Sequence, residues 1–320
     1  MTTQILGTGS YAPEKVVTND DLAQIVDTSD EWIQSRTGIR ERRIATKESN
    51  SEMAAIAAKR ALEQSGVQAQ EIDLILMATS SADYCFPNGA CEVQAAIGAQ
   101  NAVCYDISAA CSGFIYALNT AHAYICSGIV RTALVIGSDV LSKLIDWTDR
   151  STCVLFGDGA GAVVVRASDH GVLGVKMGSD GSRKNALVCG ARTNGNFLLG
   201  KKPEFGYMTM DGQEVFKFAV KTVPEVINQL LTDTNTDKSE IKYFVLHQAN
   251  HRIIESVAKR LRVDISRFPA NMERYGNTSG GSVPLLLDEI NRRGELQRGD
   301  KIMLVGFGAG LTWGATLIEW

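Results

Sequence analysis

The chain has little in it that would divide or anchor it. Its 320 residues hold only six prolines, with no proline-rich linker and no low-complexity segment, so nothing in the composition marks a flexible break between independent domains. No apolar run approaches the ~20 residues a membrane-spanning helix needs. Residues 1–30 lack a charged leader followed by an apolar core, so neither a signal peptide nor a membrane is expected. Cysteine numbers seven, an odd count with no C-x-x-C pair, which argues against a disulfide framework and for a reducing cytoplasm. A net charge of −4 leaves no basic excess for nucleic acid. Histidine is scarcer still, at four residues. His247 and His251 stand four apart, but a zincin helix needs Glu in the second place, where Gln248 stands here, and a third ligand. No metal is expected.

What is present is an internal echo. Glu71 to Met77 reads as a strand with a polar lead-in, and Glu240 to Leu246 repeats it 169 positions on. Ala133-Leu-Val-Ile-Gly137 returns at the same offset as Ile302-Met-Leu-Val-Gly306. Between the two strands of each half lies one small-residue turn that opens a helix, Ala109-Ala-Cys-Ser-Gly113 in the first and Gly276-Asn-Thr-Ser-Gly280 in the second. Such self-similarity is the mark of duplicated halves, with boundaries expected at 1–170 and 171–320. Apolar residues at helical spacing predict helices over 53–64, 114–125 and 253–261. Strands alternating with helices give an α/β class with helix-covered sheets. Residues 181–210 lack periodicity and read as one long loop, of the kind that is functional or mobile.

Cys111 is the first candidate for chemistry. It follows the strand-like run Val103 to Ile107 and precedes the helix from Phe114, which places it at the positive end of a helix dipole, where a thiolate is favoured. Its small neighbours leave backbone N–H groups free to stabilise an oxyanion. The plain alternative is a buried structural thiol. His247 follows a buried strand directly, the end at which open α/β sheets bind ligands. Asn277 occupies the second-half counterpart of the cysteine turn. If the halves pack face to face, a nucleophile, an imidazole and an amide converge without a carboxylate. Phe156-Gly-Asp-Gly-Ala-Gly161 lacks the Lys-Ser/Thr of a P-loop, and Phe307-Gly-Ala-Gly310 is a tight turn able to offer a second N–H. Two stretches are locally basic by +3, Arg36 to Ala45 and Arg252 to Arg274. Trp32 lies one helical turn before Arg36, a pairing suited to a nucleotide base and phosphates. The bland reading of either cluster is a solvated face.

Together these residues resemble the β-ketoacyl-acyl carrier protein synthase III family. The motifs are Thr28-Ser-Asp-Glu-Trp-Ile33, Arg36-Thr-Gly-Ile39, Ala109-Ala-Cys-Ser-Gly-Phe114, Asp149-Arg150, Phe156 to Gly161, His247-Gln-Ala-Asn250, Gly276-Asn-Thr-Ser279 and Phe307 to Gly314. They span the chain in order. The resemblance implies a thiolase fold of duplicated αβαβα halves with mixed five-stranded sheets, a homodimer, no cofactor, and initiation of type II fatty acid synthesis. By it, Cys111 takes an acyl group, most simply acetyl, from coenzyme A. His247 and Asn277 then hold the thioester oxygen of malonyl-acyl carrier protein as carbon dioxide leaves, and the carbanion attacks acyl-Cys111. The resemblance also assigns coenzyme A contacts to Thr28, Trp32, Arg36, Arg150, Gly212, Phe216, Ala249 and Asn250. It gives carrier-protein contacts to Gln248, Arg252, Lys259 and Arg260, and a cap on the acyl pocket across the dimer interface to Phe86. Oxyanion N–H groups fall to Cys111 and Ala309. Many members have three glycines where this chain has Gly308-Ala309-Gly310, and alanine resists positive φ.

Other readings differ by residue type. A chain-elongating synthase needs a second histidine in place of Asn277. A thiolase needs a second, C-terminal cysteine, but the last one here is Cys189. A plant-type polyketide synthase, a synthase of secondary metabolism, a cysteine acyl hydrolase and a non-catalytic homologue remain as alternatives.

Overall fold

The computed structural model describes residues 1–320. Thirteen strands form two large sheets and two small ones. In the first large sheet, β1 (Thr2–Tyr11), β7 (Gly159–Ser168), β6 (Thr132–Asp139), β4 (Leu74–Ala78) and β5 (Val103–Ile107) lie side by side in that order. β1, β7 and β6 pair antiparallel, and β6, β4 and β5 pair parallel. Every residue of β4 and β6 is buried. This explains their unbroken apolar runs, since a strand covered on both faces has no side to leave polar.

The second large sheet runs β11 (Ile241–Leu246), β12 (Lys301–Gly308), β13 (Thr312–Glu319) and β8 (Val172–Ser179), with β11–β12 parallel and the other pairs antiparallel. The echo holds in space: β11 and β12 stand where β4 and β6 stand in the first sheet. The expected fifth strand is missing here. At the corresponding edge the ring of Phe268 stacks on Phe244 with centroids 4.9 Å apart. Pro269 has no N–H to give the ladder, and the N–H of Asn271 goes to Gln248 Oε1 at 3.0 Å. The small sheets pair β2 (Val16–Thr18) with β3 (Glu41–Arg43), and β9 (Leu187–Cys189) with β10 (Met208–Met210). The last pair corrects the reading of 181–210 as plain loop. It comprises a short helical segment, Gly181–Ala186, and a hairpin with a long tip.

Helices complete five layers. Asn50–Ser65 covers the outer face of the first sheet. Ser49 begins it by accepting from Glu52 N–H while the Glu52 carboxylate accepts from Ser49 N–H at 2.7 Å, a reciprocal cap, and Gly66 ends it at φ +69°. Gly212–Asp233 and His251–Leu261 cover the outer face of the second sheet. Gly113–Cys126 and Ser282–Arg292 lie between the sheets, in one core that holds Phe114, Ile115, Leu118, Leu286, Leu287 and Ile290. No helix is long and apolar enough to cross a membrane.

The two central helices and their opening turns meet because two strands carry a glycine near their carboxyl ends, where the backbone of the other half comes close. A Cβ on Gly137, in β6, would lie 2.1 Å from Gly280 O. A Cβ on Gly306, in β12, would lie 2.9 Å from Ser112 Cα. Each strand end therefore seats the turn of the opposite half. The same symmetry appears in the backbone: Ala110 at φ +46° and Ser279 at φ +48° both sit in the left-handed region, an uncommon place for a side chain and one that clusters at functional sites.

Candidate active site

Cys111 lies on the turn between β5 and the helix Gly113–Cys126, 6% exposed. It opens on a cavity of about 110 Å³ that it shares with His247, Asn277, Leu155, Phe156, Phe307 and Gly308. A larger groove of about 810 Å³ runs along the exposed edge of β5 between Val103, Tyr105 and Tyr124. It contains neither Cys111 nor any imidazole, so the chemistry is placed at the smaller cavity.

The thiol departs from the expected thiolate. Burial pushes the Cys111 pKa up to about 12; the Ser279 hydroxyl works against that, and the carboxylate of Asp139 adds to it. The helix N-terminus thus faces a large desolvation cost. Asp139 is itself fully buried and held up in pKa by burial. One of its oxygens accepts from Ser80 N–H and Ser81 Oγ, both at 2.8 Å, and the other from Gly280 N–H at 3.1 Å. It pins the Asn277 turn to the first half.

His247 continues from β11, its N–H donating to Val305 O at 2.8 Å. Its ring is edge-on to Phe307 at 5.1 Å. Burial lowers its pKa to about 3, so the imidazole is neutral at physiological pH. Nδ1 lies 2.6 Å from Ser282 Oγ. The backbone of Asn277 is clamped on both sides, donating to Leu155 O at 2.8 Å and accepting from Gly157 N–H at 3.0 Å. Its side-chain oxygen accepts from Ser279 N–H at 2.8 Å, which leaves the amide nitrogen as the group available to the cavity. The Ala309 N–H has no acceptor within the chain. Ala309 avoids the positive φ that alanine resists, because Gly310 takes it instead, at φ +133°. Gly308 is pressed against the nucleophile: a Cβ there would be 2.8 Å from Cys111 Cβ.

The cavity mouth gathers Gly212, Phe216, Ala249 and Asn250. Asn250 Nδ2 donates to Arg36 O at 3.0 Å, tying the helix Asp30–Thr37 to the same rim. Trp32 carries two guanidiniums, Arg36 at 4.5 Å and Arg150 at 4.7 Å from the ring centroid. The hydroxyl of Thr28 is buried without a partner.

A sequence model of the family described as 3-oxoacyl-[acyl-carrier-protein] synthase III matches residues 105–181, and the model of its C-terminal part matches 231–320. The chain is 52% identical over 319 residues to the β-ketoacyl-[acyl-carrier-protein] synthase III of Clostridium acetobutylicum, covering 99% of this chain and 98% of that one. It is 49% identical to the enzyme of the same name from Xylella fastidiosa, over 99% and 98% of the two chains. The crystal structure of 3-oxoacyl-[acyl-carrier-protein] synthase III from Aquifex aeolicus superposes with a TM-score of 0.93 at 45% identity, covering 99% of this chain and all of that one.

The chain belongs to the 3-oxoacyl-acyl carrier protein synthase III family. It is thus an acyltransferase-class condensing enzyme with the thiolase fold.

One site residue expected from the sequence needs correcting. Gln248 is 1% exposed. Its amide donates to Leu246 O at 2.7 Å and accepts from Asn271 N–H at 3.0 Å, so it braces the second sheet and cannot meet a carrier protein. Within the first basic stretch, Arg42 is not on a solvated face: it is fully buried and donates to Asn19 Oδ1 and Val154 O, both at 2.8 Å, so it serves the fold. Phe86 is 86% exposed and lies outside the Cys111 cavity of its own chain. His251 is exposed and pairs with Glu255 at 3.3 Å, away from His247. Sequence reasoning missed Asp139 and Ser282. The second was within reach, since Ser282 is the echo of Gly113, 169 positions earlier, and so opens the facing helix.

Proposed function

We propose that this chain primes fatty acid synthesis by joining a short acyl group from coenzyme A to malonyl-acyl carrier protein. The observation that carries the reading is the convergence of Cys111, His247 and Asn277 on one cavity whose mouth holds Gly212, Phe216, Ala249 and Asn250. In the first half-reaction Cys111 Sγ attacks the acyl-coenzyme A carbonyl. The carbon–sulfur bond to coenzyme A breaks, and the proton of Cys111 ends on the departing thiol. The Cys111 and Ala309 N–H groups stabilise the tetrahedral oxyanion. Trp32, Arg36 and Arg150, with Thr28, hold the nucleotide end of the ligand through stacking and charge.

In the second half-reaction His247 and Asn277 donate to the thioester oxygen of malonyl-acyl carrier protein. The carbon–carboxylate bond breaks, carbon dioxide leaves, and the electron pair attacks the acyl carbon on Cys111. The bond to sulfur breaks and the thiolate takes a proton from water, which a thiol pKa near 12 favours. The product is a 3-oxoacyl-acyl carrier protein. No cofactor enters this scheme. A cavity of about 110 Å³ suits an acetyl primer. The enzyme works as a homodimer in which Phe86, exposed here, caps the partner copy's acyl pocket. A priming β-ketosynthase of polyketide biosynthesis, superposing at TM-score 0.92 with 36% identity, supports a second reading in secondary metabolism.

The test is intact-mass analysis with a panel of acyl-coenzyme A esters, paired with carbon dioxide release from malonyl-acyl carrier protein. Acetyl should load once, and the adduct should vanish in Cys111→Ala. His247→Ala and Asn277→Ala should load normally yet lose decarboxylation by roughly a hundredfold, the usual cost of one oxyanion donor. An adduct on Cys104 or Cys153, or normal decarboxylation in both variants, would refute the reading.

A further inference from the structure

His247 is neutral, so its ring has one N–H, and everything it can do at the cavity depends on which nitrogen holds it. A proton on Nε2 makes the cavity-facing atom a donor. A proton on Nδ1 makes that atom a lone pair, useless to an enolate oxygen. The choice is made where Nδ1 meets its only partner, Ser282 Oγ, at 2.6 Å in a fully enclosed contact.

A hydroxyl has one proton to give, and two acceptors compete for this one. Nδ1 is at 2.6 Å and the carbonyl of Ser279 at 2.8 Å. The carbonyl is already supplied, because the Ser282 backbone N–H donates to Ser279 O as the turn closes into the helix. Nδ1 has no other source. The hydroxyl also lies 3.5 Å from the N–H of Gln248, for which it is the acceptor. A hydroxyl that accepts from a backbone N–H is left with its proton pointing elsewhere.

We propose that Ser282 is a positioning residue that donates to His247 Nδ1, fixes the proton of the neutral ring on Nε2, and so turns the imidazole into a hydrogen-bond donor aimed at the reacting thioester. This rests on the reading of His247 as an oxyanion donor. The fold gives the hydroxyl its place. Ser282 starts the helix Ser282–Arg292, its neighbour Asn277 is pinned to residues 155–157, and Phe307 blocks rotation of the ring from the other side. Gly113, the counterpart of Ser282 in the first half, has no side chain, so the device belongs to the second half alone.

The experiment uses full-length protein labelled with ring-¹⁵N histidine. With only four histidines, the His247 signals are assigned by their loss in His247→Gln. At neutral pH the wild type should show a bare Nδ1 and a protonated Nε2. Ser282→Ala should mix or reverse the tautomers and lower kcat for condensation by about tenfold, the cost of one lost hydrogen bond, with KM for malonyl-acyl carrier protein within twofold. A wild-type ring protonated on Nδ1 overturns the proposal, and this readout needs no variant of Ser282 to fold. An unchanged tautomer and unchanged kcat in Ser282→Ala overturn it too. Normal carbon dioxide release by His247→Ala, which leaves no side-chain donor, would instead refute the parent reading, and this proposal with it.

Discussion

The thiol of Cys111 shows how residue type, position and environment can pull apart. A cysteine at the mouth of a helix is set up to be a thiolate, yet the same turn buries it, and burial pushes the thiol pKa up to about 12. On that balance, desolvation opposes a resting thiolate. Below its pKa the thiolate fraction rises about tenfold per pH unit. Alkylation of Cys111 by iodoacetamide should accordingly climb without a plateau from pH 7 to pH 9, followed as loss of acetyl loading. A plateau below pH 8 would mean that the helix dipole outweighs burial. Cys111, His247 and Asn277 were legible in the sequence, because each follows a strand or opens a helix. Asp139 was not. Its importance lies in Gly280, 141 residues away, and nothing local to Gly-Ser-Asp139 announces that partner.

At the scale of elements, the duplication explains both what was readable and what was not. The repeated strands carried their apolar runs openly, and their pairing follows from burial on both faces. The fifth strand of the second sheet was lost to one proline, Pro269, and to the claim of Gln248 on the Asn271 N–H. The proline is plain in the sequence, but the bond from Asn271 to Gln248, 23 residues away, is not. The repeated glycines of these strands, Gly137 and Gly306, were visible in the sequence, but their purpose appears only when the halves meet. Gly137→Ala would force a Cβ to within 2.1 Å of the Gly280 carbonyl, which must shift with the whole Asn277 turn. We expect a loss of at least about 2 kcal/mol in denaturant titration, in the range of overpacked cores, together with loss of decarboxylation. Gly181→Ala, where an added Cβ meets nothing within 4 Å, is the control. Equal stability of the two variants would mean that the turn yields freely and the close approach is not what orders the site.

For the molecule as a whole the carrier-protein reading raises the question of where such a partner would dock on a chain that is acidic overall. The chain carries −4 overall, yet Arg252, Lys259, Arg260 and Arg262 are exposed without an ion-pair partner along one helix and its end. That helix begins at Asn250 on the cavity rim. At 1.5 Å per residue, Lys259 lies roughly 13 Å further along its axis, close enough to hold a carrier protein whose arm reaches Cys111. Arg252 sits over the Phe216 ring at 5.8 Å, within reach of the coenzyme A mouth, and is a poor choice for a clean test. Lys259→Glu with Arg260→Glu should lower kcat/KM for malonyl-acyl carrier protein by about tenfold at low ionic strength, because steering between complementary charges acts mainly on encounter. The defect should shrink as salt is raised, since a Debye length of ~8 Å at physiological ionic strength screens exposed charges. Acetyl transfer from coenzyme A to Cys111 should stay within twofold, as Trp32, Arg36 and Arg150 are untouched. Damage to both half-reactions alike would make the patch a structural face. Damage to neither would place the carrier protein on another surface and leave these four cations as ordinary solvated charge.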